Sequence, residues 1–344
     1  MDNRMTKHLI CWIAAIGLTL SVGCAQDGED NIVGPGDVEE EIVGTLPPIT
    51  GRLAGVNDWC YQLDAIDVAV IGASKFDLVV MDYSADGSEE GAFSNAQIQA
   101  LKESPRGPKI VVAYMSIGEA EDYRFYWKDA WKSHPPDWLD EANPSWPGNF
   151  KVRYWDPEWQ RILFGIAEGE VKSYLDRIVD AGFDGIYLDI IDAYEYWSYE
   201  KSVRSPREAA EDMIALVIAL SEYARNTRGK PDFLVFSQNG SGIITEVDDE
   251  KVQAYFEAIS GIGAEDTFYY GDQDEDNPLN RQQEVIANLD RFRRAGKVVL
   301  AIDYLLAPEK IADFYTRARA RGYIPYTSVR ALNRLIVPPG YEPD

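Results

Sequence analysis

The feature that most limits what this chain can become is a repetition. From residue 52 onward short apolar runs recur: Ala54 to Leu63, Leu78 to Tyr83, Ile110 to Ser116, Gly185 to Ile191, Phe233 to Gln238, Gly261 to Tyr270, Val298 to Tyr304 and Tyr323 to Val329. Each is short, and the clearest are rich in β-branched and aromatic residues, as buried strands are. Segments with helical character lie between most of them: Ser94 to Lys102 with Ser94 as cap, Glu168 to Asp180, Pro206 to Thr227, Asn280 to Ala295 and Pro308 to Arg321. Strand and helix alternating eight times predicts an α/β chain folded as a single (β/α)8 barrel over residues 51–338, with 339–344 as a tail. One interval breaks the rhythm. Glu119 to Pro157 is long, aromatic and interrupted by five prolines, so it predicts an aromatic-rich insertion after the third strand that covers the barrel mouth.

The amino-terminal part reads differently. Residues 1–24 resemble an export signal, with Arg4 and Lys7 ahead of an apolar stretch that ends at Ser21-Val22-Gly23-Cys24. That ending resembles a lipoprotein box, so Cys24 is the expected lipidation site and the expected location is extracytoplasmic, lipid-anchored to a bacterial membrane or secreted. Residues 25–50 are acidic and rich in Gly and Pro, which predicts a flexible tether without packed contacts on the barrel. Cys11 lies in the signal, which leaves Cys60 as a lone, buried small hydrophobe.

Composition removes several chemistries. A formal net charge of -25 argues against nucleic acid, whose phosphates need clustered Lys and Arg; an acidic field suits a cationic partner. There are only two His, His8 and His134, so a His-rich metal barrel is excluded and no metal or other cofactor is expected. No Gly-x-Ser-x-Gly elbow, phosphate loop or dinucleotide fingerprint is present.

Strand ends offer carboxylates instead. Asp82 closes the second run, Glu119 follows the third, Asp189 and Asp192 the fourth, Glu265 and Asp266 fall in the sixth, and Asp303 in the seventh. In parallel α/β folds the carboxyl ends of strands carry the chemistry, and two carboxylates suffice to cleave a glycosidic bond. Asp189 and Glu265 are the favoured pair. Strands four and six are two apart, so both side chains should lean over one mouth, where carboxyl carbons about 5 to 6 Å apart would go with retention and about 6.5 to 9.5 Å with inversion. Rings gather near the same ends, Trp59, Tyr61, Tyr83, Tyr114, Trp155, Tyr187 and Tyr304 among them, and could stack on sugar faces. Arg124 is expected to pair with Glu119 and position it.

A set of ordered motifs then resembles a known family. They are Gly55-Val56-Asn57-Asp58-Trp59-Cys60-Tyr61-Gln62-Leu63, Tyr114 to Arg124, Trp146-Pro147-Gly148-Asn149, Val152 to Pro157, Gly182 to Asp192, Ser237-Gln238-Asn239-Gly240 and Gly263 to Tyr269. Together they resemble glycoside hydrolase family 114, the endo-α-1,4-polygalactosaminidase-like proteins. The resemblance implies hydrolysis of α-1,4-linked galactosamine or N-acetylgalactosamine polymers, with Asp189 and Glu265 in the family's catalytic positions on strands four and six. Substrate contacts are expected from Trp59, Tyr61, Asp82, Tyr83, Glu119, Arg124, Trp155, Tyr187, Asp192, Gln238, Asn239, Asp303 and Tyr304. The partner is then a polysaccharide, and the chain is expected to act as a monomer. Two alternatives stay open: a non-catalytic sugar-binding surface protein on the same barrel, and a glycosidase for another α-linked glycan.

Overall fold

The computed structural model describes residues 45–165 and 172–344. The export signal, Cys24 and most of the tether lie outside the described residues. Eight strands form one parallel sheet in chain order: β1 (Trp59–Gln62), β2 (Leu78–Met81), β3 (Ile110–Ser116), β4 (Gly185–Asp189), β5 (Leu234–Gln238), β6 (Gly261–Glu265), β7 (Val298–Asp303) and β8 (Ile324–Thr327). Among the described residues, the helices between them include α1 (Val68–Ala73), α2 (Asn95–Lys102), α3 (Tyr174–Ala181), α4 (Pro206–Glu222), α5 (Asp249–Ala258), α6 (Gln283–Arg294) and α7 (Pro308–Ala320). The seam between β8 and β1 is closed by side chains, since Trp59 Nε1 donates to the carbonyl of Ile324 at 2.9 Å and its ring lies 5.8 Å from that of Tyr326. The sheet is therefore a nearly closed barrel wrapped by helices.

Local chemistry explains the element boundaries. Ser94 and Ser205 each close a capping box, with Gln97 and Glu208, and Pro206 occupies the first turn of α4. Helix α3 ends on Gly182 at φ 91°, a left-handed position that glycine takes without steric cost. Several strands are shorter than their apolar runs. β4 stops at Asp189 and not Ile191, because Ile190 turns left-handed (φ 61°), and β6 stops at Glu265 and not Tyr270, because Asp266 does the same (φ 52°).

Strand register sets which side chains share a face. Tyr114 pairs with Tyr187 and Ser116 with Asp189; Tyr187 pairs with Phe236, Gln238 with Gly263, and Glu265 with Ile302. In-register residues of parallel strands point the same way, and the direction alternates along each strand. Asp189, Gln238 and Glu265 thus share one face. That face is the barrel interior: the Tyr61 and Tyr187 rings meet across it at 5.3 Å, and a methyl group on Gly263 would overlap the Tyr187 hydroxyl.

The insertion after β3 is a built structure and not an irregular loop. Its strands Glu119–Glu121, Asn149–Val152 and Leu139–Ala142 form a small antiparallel sheet in that order. Trp127, Trp131, Trp138 and Trp159 follow one another with ring centroids 5.3, 5.0 and 5.1 Å apart, so the aromatic content of this stretch makes a secondary core.

Both expected termini of the barrel domain need correction. The end of the tether packs on the barrel: Arg293 Nη1 donates to the carbonyl of Pro47 at 2.8 Å, and Ile49 lies half-buried on the core. Apolar Leu46 to Ile49 offer surface that the acidic residues before them lack. The tail packs as well, with the Tyr341 ring tilted against that of Tyr315 at 4.1 Å between centroids. Cys60 is buried, and burial pushes its thiol pKa up, which leaves it inert at neutral pH.

Candidate active site

Asp189 is the last residue of β4, and its carboxylate is held by neutral donors alone. Tyr114, from the neighbouring β3, donates its hydroxyl to Oδ2 at 2.6 Å, and the backbone N–H of Ile190 donates to Oδ1 at 2.8 Å. The second contact depends on the left-handed turn at Ile190, a β-branched residue that pays roughly 1–3 kcal/mol for that conformation. Gly118 accommodates the turn, since any side chain there would strike the carbonyl of Ile190. Burial pushes the Asp189 pKa well above the usual carboxylate range; the charge of Glu265 adds to this, while the bonds from Tyr114 and Ile190 oppose it.

Glu265 closes β6 on the same inner face. Its Oε2 accepts from Gln238 Nε2 at 2.7 Å and from Asn239 Nδ2 at 2.9 Å, and its Oε1 accepts a short hydrogen bond from the Tyr304 hydroxyl. Asn239 acts twice, because its Oδ1 also accepts the backbone N–H of Glu265 at 3.0 Å. Beneath them the Tyr61 hydroxyl donates to Gln238 Oε1 at 3.1 Å, which fixes the amide orientation. The three residues that follow β4, β5 and β6, namely Ile190, Asn239 and Asp266, are all non-glycine and all left-handed (φ 61°, 55° and 52°). Strain repeated at the ends of three adjacent strands aims side chains rather than saving energy.

Among the described residues, no Lys or Arg forms an ion pair with Asp189 or Glu265. Around them the mouth carries further acids. Asp192, partly exposed, has its pKa raised to about 6, by burial first and by Glu119, with Lys151 opposing. Glu195 is raised to about 7 by burial and by Asp192. Glycosidic bond cleavage is within reach of such a site, since one carboxyl can carry a proton while the other stays ionised.

The other sequence-selected residues divide. Tyr61, Tyr187, Gln238, Asn239 and Tyr304 stand below or beside Glu265, and Asp192 lies near the mouth. Four others are occupied elsewhere. Asp82 has both oxygens bound by the Arg124 guanidinium (2.8 and 2.7 Å) in a buried pair. Arg124 takes Glu121 as its second partner at 2.6 Å and not Glu119; Glu119, fully buried, is held by Lys151 (2.6 Å), Asn143 (2.8 Å) and Asn149 (3.2 Å). Asp303 has the opposite parity to Glu265 and Tyr304 and accepts three backbone N–H groups, from Thr267, Phe268 and Tyr269. It is a loop anchor, not a substrate contact. Three expected sugar platforms are packing residues: Trp59 lies at the amino-terminal end of β1 in the seam, Tyr83 is buried 5.1 Å from Tyr174, and Trp155 packs between Trp197 and Arg204.

Two participants escaped sequence reasoning. Tyr114 was counted only as one of many rings, although its place two residues before Ser116 gives it the parity of Asp189. Arg330, beyond β8, binds Asp266 and carried no signal in its local sequence.

Residues 47–341 match the model of glycoside-hydrolase family GH114. The chain belongs to that family. Its relatives include an uncharacterized protein of Thermotoga maritima, 40% identical over 293 residues that cover 83% of this chain and 84% of the relative. Another is an uncharacterized protein of Methanocaldococcus jannaschii, 38% identical over 78% of this chain and 75% of the relative. Among solved structures, the alpha-galactosidase TtGalA from Thermus thermophilus aligns over 88% of this chain at 11% identity and a TM-score of 0.47, and the chain spans 60% of that enzyme's length. A GH18 chitinase from Pseudoalteromonas aurantia aligns at 12% identity and a TM-score of 0.42, over 78% of this chain and 92% of the chitinase. The chain is a glycoside hydrolase on a (β/α)8 barrel.

Proposed function

We propose that this glycoside hydrolase is an endo-acting enzyme that cleaves α-1,4-linked galactosamine or N-acetylgalactosamine polymers with retention, exported and tethered through a lipid on Cys24. The observation that carries the reading is the pair of inward carboxylates, Asp189 and Glu265, on strands two apart and held only by neutral donors. The acidic mouth, with Asp192 and Glu195, complements a cationic, partly deacetylated chain better than a neutral one.

In the first half-reaction the Asp189 carboxylate attacks the anomeric carbon. Glu265 protonates the glycosidic oxygen as its bond to that carbon breaks, giving a glycosyl ester on Asp189. Glu265, now ionised, takes a proton from water, whose oxygen attacks the anomeric carbon and releases Asp189. Burial and the Glu265 charge make Asp189 reluctant to ionise, and a bound ammonium sugar supplies the positive charge that favours its ionised form. One observation favours the reverse allocation, with Asp189 as proton donor: burial raises its proton affinity, while Glu265 accepts from Gln238, Asn239 and Tyr304.

The test is incubation of the purified mature domain with galactosamine and N-acetylgalactosamine polymers, reading oligosaccharide release and anomer by NMR. Expected are internal cuts in the partly deacetylated polymer and α-configured new ends. No release from any aminosugar polymer would overturn the reading. Azide added to alanine variants separates the allocations, since the nucleophile variant gives the β-azide and the acid/base variant the α-azide.

A further inference from the structure

We propose that Arg330 is a positioning residue that sets the reacting geometry of Glu265 by two routes, through the backbone at Asp266 and through the Tyr304 hydroxyl. The inference rests on the acid/base role given to Glu265 above. Arg330 follows β8 by three residues and is buried, so it has no access to substrate. Its guanidinium binds Asp266 in a bidentate pair, Nη1 to Oδ2 and Nη2 to Oδ1, both at 2.8 Å. Asp266 is the residue directly after Glu265 and is left-handed, with its N–H bonded to the carbonyl of Ile302 at 3.0 Å. Holding the Asp266 side chain therefore holds the turn from which Glu265 projects. This planar fork is a geometry that Lys cannot reproduce.

The second route runs through a ring. The Arg330 guanidinium carbon lies 4.2 Å from the centroid of the Tyr304 ring, whose hydroxyl is the donor to Glu265 Oε1. Arg330 Nε also donates to the carbonyl of Asp274 at 3.0 Å, and its N–H to Glu275 Oε1 at 3.2 Å. One side chain thus ties the segment after β8 to the loop after β6 and lies against Tyr304, the residue directly after β7. An acid/base carboxyl must meet the leaving oxygen within a fraction of an ångström, and misplacement of about 1 Å costs on the order of a hundredfold.

The experiment compares two substrates that differ in their need for an acid: an α-1,4-galactosamine oligomer, and the 2,4-dinitrophenyl α-glycoside of an α-1,4-galactosamine disaccharide, whose leaving group departs unprotonated. Arg330→Met and Tyr304→Phe are expected to lose about a hundredfold in kcat and in kcat/KM on the oligomer with KM changed less than about threefold, and to keep most of kcat/KM on the dinitrophenyl glycoside, since kcat/KM reads the bond-breaking step and not the water step in which Glu265 is the base. Arg330→Lys should recover only part of the loss. Tyr304→Phe leaves the Arg330–Asp266 pair intact and carries the test should Arg330→Met fail to fold. Equal losses on both substrates, or a loss confined to KM, would overturn the proposal. Glu265→Gln, run alongside, separates the two levels. Indifference of Glu265→Gln to the leaving group removes the acid/base reading and this inference with it, whereas a sensitive Glu265→Gln beside insensitive Arg330→Met and Tyr304→Phe removes the inference alone.

Discussion

Two aspartates on one short segment, Asp184 and Asp189, have opposite surroundings. Asp184, just ahead of β4, accepts from Arg52 at 2.6 Å and Lys102 at 2.9 Å, and its other oxygen accepts the N–H of Val111 at 3.0 Å. Asp189, at the far end of the same strand, meets a tyrosine hydroxyl and one backbone N–H. The contrast extends across the barrel. Asp82 and Asp266, also near strand ends, each hold an Arg in a buried bidentate pair, whereas Glu265 meets two amides and a phenol. A cation neutralises a carboxylate and uses up its reactivity; neutral donors orient it and leave it able to trade a proton or attack carbon. Partner type therefore separates carboxylates that build this barrel from those that work in it. Asp303 shows the limit of the rule, because its three donors are backbone amides and it faces away from the mouth.

The sharpest way to break this comparison is to neutralise each kind in turn. Asp189→Asn removes the charge with almost no change of shape, so turnover of aminosugar polymer should fall on the order of a thousandfold or more while the thermal midpoint stays near that of the parent. A variant keeping half its activity would remove Asp189 from the mechanism. Asp82→Asn should do the reverse. It strands the buried Arg124 against Glu121 alone, and urea titration should show a stability loss of about 3 to 5 kcal/mol, with far less effect on kcat than the change at Asp189. Unchanged stability would mean that the Asp82–Arg124 pair is not structural.

Much of this division was legible in the sequence, and the part that was not has a physical cause. Asp189 and Glu265 stood out because apolar runs end on them, and a strand's carboxyl end is where the barrel opens. Asp303 and Tyr304 were selected together, although side chains alternate faces and only the register reveals that Tyr304 and not Asp303 shares the face of Glu265. Arg124 was rightly expected in an ion pair, yet its partner Asp82 lies 42 residues away, a pairing that no local spacing encodes. The same holds for Arg330, 64 residues from Asp266. The left-handed turn at Ile190 left no trace either, since a β-branched residue is the last that composition would place there.

The smallest expected effect gives the finest distinction, because it reads the charge environment of Asp189 directly. Burial and the nearby charges of Glu265 and Asp192 raise the Asp189 pKa. As nucleophile Asp189 must be ionised, so kcat/KM should fall as pH drops through its pKa, and this acid limb should lie above the ordinary carboxylate value of about 4. Asp192→Asn removes one of the like charges. The Asp189 pKa then falls, and the acid limb moves to lower pH. Were Asp189 the proton donor, it would have to be protonated in the free enzyme, and the same substitution would shift the alkaline limb to lower pH. A profile of kcat/KM between pH 3 and 9 for the parent and Asp192→Asn thus reports which carboxyl of the pair attacks the sugar, and an unchanged profile would show that Asp192 exerts no charge on the site.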